Sequence, residues 1–110
     1  MMLMCGFGRL VILASMALAA GTASAGELTI TMAGGTFSPS TVKASRGDVI
    51  RFVNDDTMAH NIFVPTKAFS VDLGKQEPGK TTLLPVGKSG KFEVECVIHQ
   101  GMTMTVEVSP

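Results

Sequence analysis

A seven-residue segment near the end of this 110-residue chain combines three side chains that bind soft or borderline metal ions. It reads Cys96-Val97-Ile98-His99-Gln100-Gly101-Met102, which places a thiol, an imidazole and a thioether on one short loop. The chain's other histidine, His60, can supply a second imidazole nitrogen. Two histidines and a cysteine with a weak axial methionine form the trigonal ligand set of a blue-copper electron-transfer site. These residues therefore predict a site for one copper ion that cycles between Cu(I) and Cu(II).

Residues 1–25 have the pattern of a cleaved secretory signal peptide. Arg9 gives a positive start, Leu10 to Ala20 is apolar, and Ala23-Ser24-Ala25 fits a small-x-small cleavage site. An uncleaved membrane anchor is the alternative, but the apolar run is short for a membrane span. We therefore expect residues 26–110 to form one exported domain, periplasmic and without stable membrane insertion.

The cysteine count of that domain supports the metal interpretation. Cys5 precedes the apolar run and leaves with the signal peptide, so Cys96 is the only thiol that remains. An exported domain with one thiol has no partner for an internal disulfide. A buried inert cysteine and an intermolecular bridge are the alternatives. The histidine three positions later and the methionine three after that favour a metal ligand.

The charge balance excludes one class of partner. Residues 26–110 contain eight Lys and Arg against nine Asp and Glu, which gives no basic footprint for nucleic acid or an anionic membrane surface. About 85 residues can bury one modest core, so we expect a single domain. We also expect a monomer. Asp55 and Asp56 are adjacent acids in a turn, where solvated side chains are expected rather than a cation site.

Short β-rich runs separated by turn residues occupy the rest of the domain. No segment after residue 25 shows the 3.6-residue periodicity of an amphipathic helix, so an all-β sandwich or barrel is predicted. Gly87-Lys88-Ser89-Gly90 is typical of a hairpin turn between the two runs that flank it. The predicted strands are Glu27 to Ala33, Thr41 to Ser45, Val49 to Asn54, His60 to Val64, Thr81 to Val86, Lys91 to Cys96 and Thr103 to Ser109.

Alternation along the last two strands predicts where the sulfur ligands point. Phe92, Val94 and Cys96 share one face, which places Cys96 at a strand end with its side chain toward the core. Met104 is in register with valines and has a simple explanation as core packing. Met102 stands at the strand entrance, where its side chain can still reach a metal on the loop. We favour Met102 over Met104 as the axial ligand.

The mature chain resembles a small cupredoxin of the plastocyanin, pseudoazurin and amicyanin kind. The resemblance covers nearly all of it, from Phe37-Ser38-Pro39 through Gly47-Asp48-Val49-Ile50-Arg51-Phe52-Val53-Asn54 to the C-terminus. The Cys-x-x-His-x-x-Met spacing is similar to the ligand loop of amicyanin, whereas the longer spacing of pseudoazurin and plastocyanin would use Met104. Phe69 to Gly74, with Glu77-Pro78-Gly79, resembles the connection of short bacterial plastocyanin-like proteins. The resemblance implies a single Greek-key β-sandwich.

The same resemblance implies a role for each site residue. His60, Cys96 and His99 would be equatorial ligands and Met102 the axial one, and the backbone N–H of Asn61 would donate to the Cys96 thiolate. Electrons would pass through His99, which would reach the surface through an apolar patch, to transient protein redox partners. Met58, Ala59, Gln100 and Gly101 would flank His99 there. We therefore predict a periplasmic electron carrier and no enzyme. The alternatives are a copper-binding or delivery protein and a copper-free structural module.

Overall fold

The computed structural model describes residues 26–110, so the predicted signal peptide, residues 1–25, lies outside the described residues. Strands dominate the described part of the chain, and the one helix there is a 3-10 turn of three residues, Lys67–Phe69. The strands are β1 (Glu27–Ala33), β2 (Thr36–Ser38), β3 (Thr41–Ser45), β4 (Val49–Asn54), β5 (His60–Val64), β6 (Val71–Gln76), β7 (Thr81–Pro85), β8 (Gly90–Glu95) and β9 (Thr103–Ser109). Within residues 26–110, no helix is long and apolar enough to span a membrane.

The nine strands form two sheets. One sheet has the order β2-β1-β4-β7, and the other has the order β3-β9-β8-β5-β6. The pairs β1 with β4 and β3 with β9 are parallel, whereas the remaining pairs are antiparallel. Parallel neighbours cannot be joined by a tight turn, so the chain crosses repeatedly from one sheet to the other. The predicted all-β Greek-key sandwich is confirmed.

A single apolar core fills the space between the sheets. On β8 and β9 the buried side chains alternate with exposed or half-buried ones, because successive residues of a strand point to opposite faces. The predicted inward set is therefore confirmed: Phe92, Val94 and Cys96 on one segment, and Met104, Val106 and Val108 on the other. The first sheet contributes Ile30, Met32, Ile50 and Phe52 to the same core.

The predicted hairpin at Gly87 to Gly90 is wrong. The strand before it, β7, pairs with β4 in the four-stranded sheet, while the strand after it, β8, pairs with β9 and β5 in the other sheet. Gly90 has a φ of +135°, and a Cβ atom there would lie 2.9 Å from the ring of Phe69. Turn residues show where the chain changes direction, but they do not determine which strands become neighbours.

The interpretation of Phe69 to Gly74 as a connection is also wrong. Most of that segment belongs to β6, which pairs antiparallel with β5 and forms the edge of the five-stranded sheet. The pairing register shifts between Ile62 and Phe63, where the ladder has a bulge. Gly74, with a φ of +75°, interrupts the alternation that would have indicated a strand.

Candidate metal centre

The sheet brings His60 and Cys96 together. His60 is the first residue of β5, and Cys96 directly follows the last residue of β8. These strands are antiparallel neighbours, with Phe63 opposite Glu95, so the start of one lies beside the end of the other. Both side chains point into the core, where His60 is 0% and Cys96 is 3% exposed. Two residues that are 36 positions apart thus meet at one end of the sandwich.

The ligand loop, residues 96–102, connects β8 to β9 and places His99 beside His60 and Cys96. The backbone N–H of Cys96 donates to the carbonyl of Met102 at 3.0 Å, which closes the loop at its base. Within the loop, His99 N–H donates to the carbonyl of Cys96 and Met102 N–H donates to the carbonyl of His99, both at 3.3 Å. Gly101 completes the turn with a φ of +82°, a conformation that favours glycine. His99 is therefore folded back toward Cys96 and remains half-buried.

Three donor atoms form a compact triangle. His60 Nδ1 lies 3.1 Å from His99 Nδ1 and 3.9 Å from Cys96 Sγ, and His99 Nδ1 lies 3.5 Å from that sulfur. The point equidistant from the corners of such a triangle is about 2 Å from each, close to the ~2.0–2.1 Å and ~2.3 Å of metal–imidazole and metal–thiolate bonds. Imidazole and thiolate ligands suit copper, zinc or iron, and trigonal His₂Cys with a distant thioether is typical of blue copper. The residues present therefore fit a copper ion.

The thiol receives a backbone hydrogen bond. Asn61 N–H donates to Cys96 Sγ at 3.5 Å, as the family resemblance implied. The side chain of Asn61 also accepts a bond from the backbone N–H of Ile98, at 3.4 Å. One residue of β5 thus holds both the sulfur and the loop that follows it. Such bonds to ligands orient them and adjust the electronic properties of the metal.

Asp56 contradicts the expectation of a solvated turn residue. Its Oδ2 lies 2.9 Å from His60 Nε2, and its side chain is 10% exposed. The bond to His60, with backbone N–H groups of Gly35 and Thr57, lowers the pKa of Asp56 to about 2. The carboxylate is therefore ionised at neutral pH. Asp56 and His60 are four residues apart in an irregular segment, and that spacing does not predict a contact. Asp55 is exposed, as predicted.

Both candidate axial methionines are buried, and each is 2% exposed. Met102 closes the ligand loop through its backbone and directly precedes β9. Met104 lies within β9, opposite Val94 in the ladder and on the core-facing side. Met104 therefore packs in the core, as predicted. The choice of Met102 as axial ligand stays a prediction.

The surface of the ligand loop is more apolar than the sequence indicated. Val97 is 64% and Ile98 is 52% exposed, and both immediately precede His99. Met58, which was predicted to flank the site, is also exposed, while Ala59 is half-buried. Large exposed apolar side chains that adjoin a ligand are typical of a surface that another protein contacts.

Comparison with known sequences defines the class of protein. The sequence profile of the cupredoxin-like domain matches residues 6–108, and the chain therefore belongs to the cupredoxin-like family. A comparison with curated protein sequences gives no match.

Solved structures show the same fold. A purple cupredoxin from Nitrosopumilus maritimus is 19% identical, with a TM-score of 0.67, and the match covers 74% of this chain and 99% of that one. An amicyanin variant in its reduced Cu(I) form at pH 4 is 16% identical, with a TM-score of 0.71, covering 80% and 87%. A copper-containing nitrite reductase from Thermus scotoductus is 22% identical, with a TM-score of 0.68, and the match covers 76% of this chain and 22% of that enzyme.

Proposed function

We propose that this protein is a periplasmic blue-copper protein that carries single electrons between transient protein partners. The triangle formed by His60 Nδ1, His99 Nδ1 and Cys96 Sγ is the observation that supports the proposal, because its size suits one metal ion. In this proposal these three residues are the equatorial ligands and Met102 is the axial ligand of a single copper. The bound copper would supply one-electron chemistry between Cu(I) and Cu(II).

The protein's own part is to keep the ligand positions fixed. His60 lies in β5, Cys96 directly follows its neighbour β8, and the loop that contains His99 is closed by three backbone hydrogen bonds. Ligand positions that stay the same suit both Cu(I) and Cu(II). Little rearrangement of the site would therefore accompany each electron transfer. Both histidines of the chain are used as ligands, which leaves no imidazole for general acid–base catalysis. We therefore infer a carrier and not an enzyme.

Partner docking is assigned to the surface of the ligand loop. His60 is fully buried, whereas His99 is half-buried and follows the exposed side chains of Val97 and Ile98. His99 is thus the ligand through which electrons would leave the site. A short apolar loop offers a small contact area, which suits the weak, transient complexes of redox proteins. A monomer, in which no second subunit covers the ligand loop, leaves this surface accessible to such partners.

A spectroscopic titration tests the metal centre. Protein produced from the full 110-residue chain is purified from the periplasm of an expressing bacterium and titrated with Cu(II), beside a Cys96→Ser variant. We expect an intense visible thiolate-to-copper band that saturates at one equivalent, bleaches with reductant and returns on reoxidation. The variant should lack the band, because a hydroxyl does not replace the thiolate.

The same preparation separates the alternatives. Loss of copper at each reduction would favour a delivery protein, and absence of the band in the wild type would favour a structural module. The N-terminal residue of the purified protein tests the export proposal. We expect Gly26, and an intact Met1 in the membrane fraction would contradict cleavage.

A further inference from the structure

Gly26, the first residue of the proposed mature chain, is bonded to the residues that begin β4. Its N–H donates to Oδ1 of Asp48 at 2.9 Å, and its carbonyl accepts the backbone N–H of Val49 at 3.0 Å. Both backbone groups of Gly26 are thus used, although the residue is exposed and lies just before β1. These two contacts determine where the Gly26 nitrogen lies.

The carboxylate that receives this nitrogen is itself held in place. Oδ2 of Asp48 accepts the backbone N–H of Ser45 at 2.8 Å, and the backbone N–H of Asp48 donates to the carbonyl of Ser45 at 2.9 Å. The carbonyl of Asp48 accepts the N–H of Val86 at 2.9 Å, which ties the turn between β3 and β4 to the end of β7. Oδ1 of Asp48 is therefore directed at Gly26 by bonds that do not involve Gly26.

Cleavage of the bond between Ala25 and Gly26 changes the chemistry of this contact. Hydrolysis by a signal-removing peptidase breaks the peptide C–N bond and consumes one water molecule. The water oxygen stays on the carbonyl carbon of Ala25, which becomes a carboxylate, and the Gly26 nitrogen becomes an α-ammonium group. The nitrogen that donates to Asp48 is the same atom before and after cleavage. A neutral amide donor is thus replaced by a cationic donor, and hydrogen bonds between charged groups are shorter and stronger than neutral ones.

We propose that Asp48 is the binding site for the α-ammonium group of the mature chain, so that removal of residues 1–25 adds an ion pair that fastens β1 to the turn between β3 and β4. This inference rests on the cleavage that forms part of the proposed function, and it does not depend on copper. It gives export processing a role in the folded domain, because the ion pair exists only in the cleaved protein.

The geometry suits Gly26 as the first residue. A Cβ atom at this position would lie 3.2 Å from Oδ1 of Asp48, so a side chain there would crowd the carboxylate. A chain that starts at Glu27 lacks the donating nitrogen, and a chain that starts at Ala25 carries its charge one residue away, where consecutive Cα atoms are about 3.8 Å apart. The observed nitrogen position holds an ammonium group only when Gly26 comes first.

The neighbouring charged groups supply a matched control. Arg46 lies in the same turn as Asp48, and Glu27 follows Gly26 directly, with its Oε1 3.8 Å from Nε of Arg51 on β4. Glu27→Gln removes one negative charge next to the new N-terminus, as Asp48→Asn does. The Glu27 side chain is bonded to Arg51 and not to the Gly26 nitrogen, so only Asp48→Asn removes the proposed contact.

The test is an NMR titration of the α-amino group, followed through the Cα and Hα resonances of Gly26. The protein is produced from the full 110-residue chain, labelled with ¹³C and purified from the periplasm. An opposite charge at hydrogen-bond distance favours the protonated form, so the pKa of this group should lie above its ordinary range of about 7.7–8.0. In Asp48→Asn the pKa should return to that range, whereas in Glu27→Gln it should stay near the wild-type value.

The wild type alone can overturn the inference, even if Asp48→Asn does not fold. Its α-amino pKa should fall into the ordinary range when the protein is unfolded in concentrated urea, because the contact with Asp48 is then lost. A pKa that is the same in the folded and unfolded protein would refute the ion pair. Equal falls of the pKa in Asp48→Asn and Glu27→Gln would also refute it, because the shift would then report the general field of nearby acids.

Three readouts keep this inference apart from the proposed function. A first residue other than Gly26 would refute the proposed cleavage site, and this inference with it. A start at Gly26 with an ordinary pKa in the folded protein would refute this inference alone, and the electron-carrier proposal would stand. Absence of the blue band would refute the copper proposal, and the titration would still decide whether Asp48 binds the α-ammonium group.

Discussion

Truncation of Asn54 should destabilise the protein far more than truncation of Asn61, although both are buried asparagines. The Asn54 side chain makes three hydrogen bonds: to the carbonyls of Met58 and Gln76 at 3.0 and 2.8 Å, and from Asp56 N–H at 3.0 Å. The side chain of Asn61 accepts one bond, from Ile98 N–H at 3.4 Å. Alanine removes the same atoms at both positions, so the cost of lost volume is closely matched.

The expected magnitude follows from the number of bonds. A typical intramolecular hydrogen bond contributes about 0.5–1.5 kcal/mol to stability, so Asn54→Ala should cost roughly 3 kcal/mol and Asn61→Ala roughly 1 kcal/mol. With a urea dependence of about 1 kcal/mol per molar for a domain of this size, the midpoint of Asn54→Ala should lie roughly 2 M below that of Asn61→Ala. Urea unfolding of the metal-free proteins is the assay, because bound metal would add its own stabilisation.

A small difference would refute this reasoning. If the two variants lose stability within about 0.5 kcal/mol of each other, the hydrogen bonds of Asn54 contribute no more than the volume of its side chain. The polar contacts at the end of β4 would then be replaceable by water, and the segment that precedes His60 would be held by packing alone.

Two further predictions concern the axial ligand and acid stability. Met102→Leu should shift the reduction potential of the copper-loaded protein, because the axial ligand tunes that potential, whereas Met104→Leu should leave it nearly unchanged. Each substitution should lower the free energy of unfolding by less than about 1.5 kcal/mol. A larger shift of the potential in Met104→Leu than in Met102→Leu would reverse the assignment. The backbone N–H groups of Ser45 and Gly26 lower the pKa of Asp48. The ionised carboxylate therefore stabilises the fold at pH values above the pKa that Asp48 has in the unfolded chain. This contribution is lost as the pH falls through the pKa that it has in the folded protein. The melting temperature of Asp48→Asn should therefore lie below that of the wild type at pH 7, and the gap should narrow as the pH falls through the lowered pKa of Asp48; a constant gap would contradict the assignment.

The sequence predicted that His60, Cys96 and His99 come together because most of the candidate site is local and in phase. Cys96, His99 and Met102 lie within one loop, and the alternation of β8 already indicated that Cys96 points inward. His60 was identified because only one other histidine exists. Strands with regular alternation, such as β4 and β9, were predicted with the bounds that the structure shows.

Contacts between segments distant in the sequence were not predictable in this way. The turn at Gly87 to Gly90 looks like a hairpin, but the strands on either side find their partners in different sheets. β2 has three residues and β6 contains a glycine, so neither shows a sustained period of two. Asp56 reaches His60 only because the backbone between them folds back and because the Gly34-Gly35 turn lies beside it. Composition alone makes such an acid look solvated.

The position of β9 in its sheet has a consequence for the time at which the metal site forms. The last strand of the chain lies between β3 and β8, and its parallel partner β3 precedes it by about 60 residues. A chain that emerges N-terminus first cannot join β3 and β8 in one sheet until residues 103–109 have followed, because β9 lies between them. Pairings between distant segments also form slowly, because loop closure must precede them. The cysteine and histidines are therefore expected to reach their final positions only when β9 is in place, so a metal ion held by all three would be bound by a folded domain.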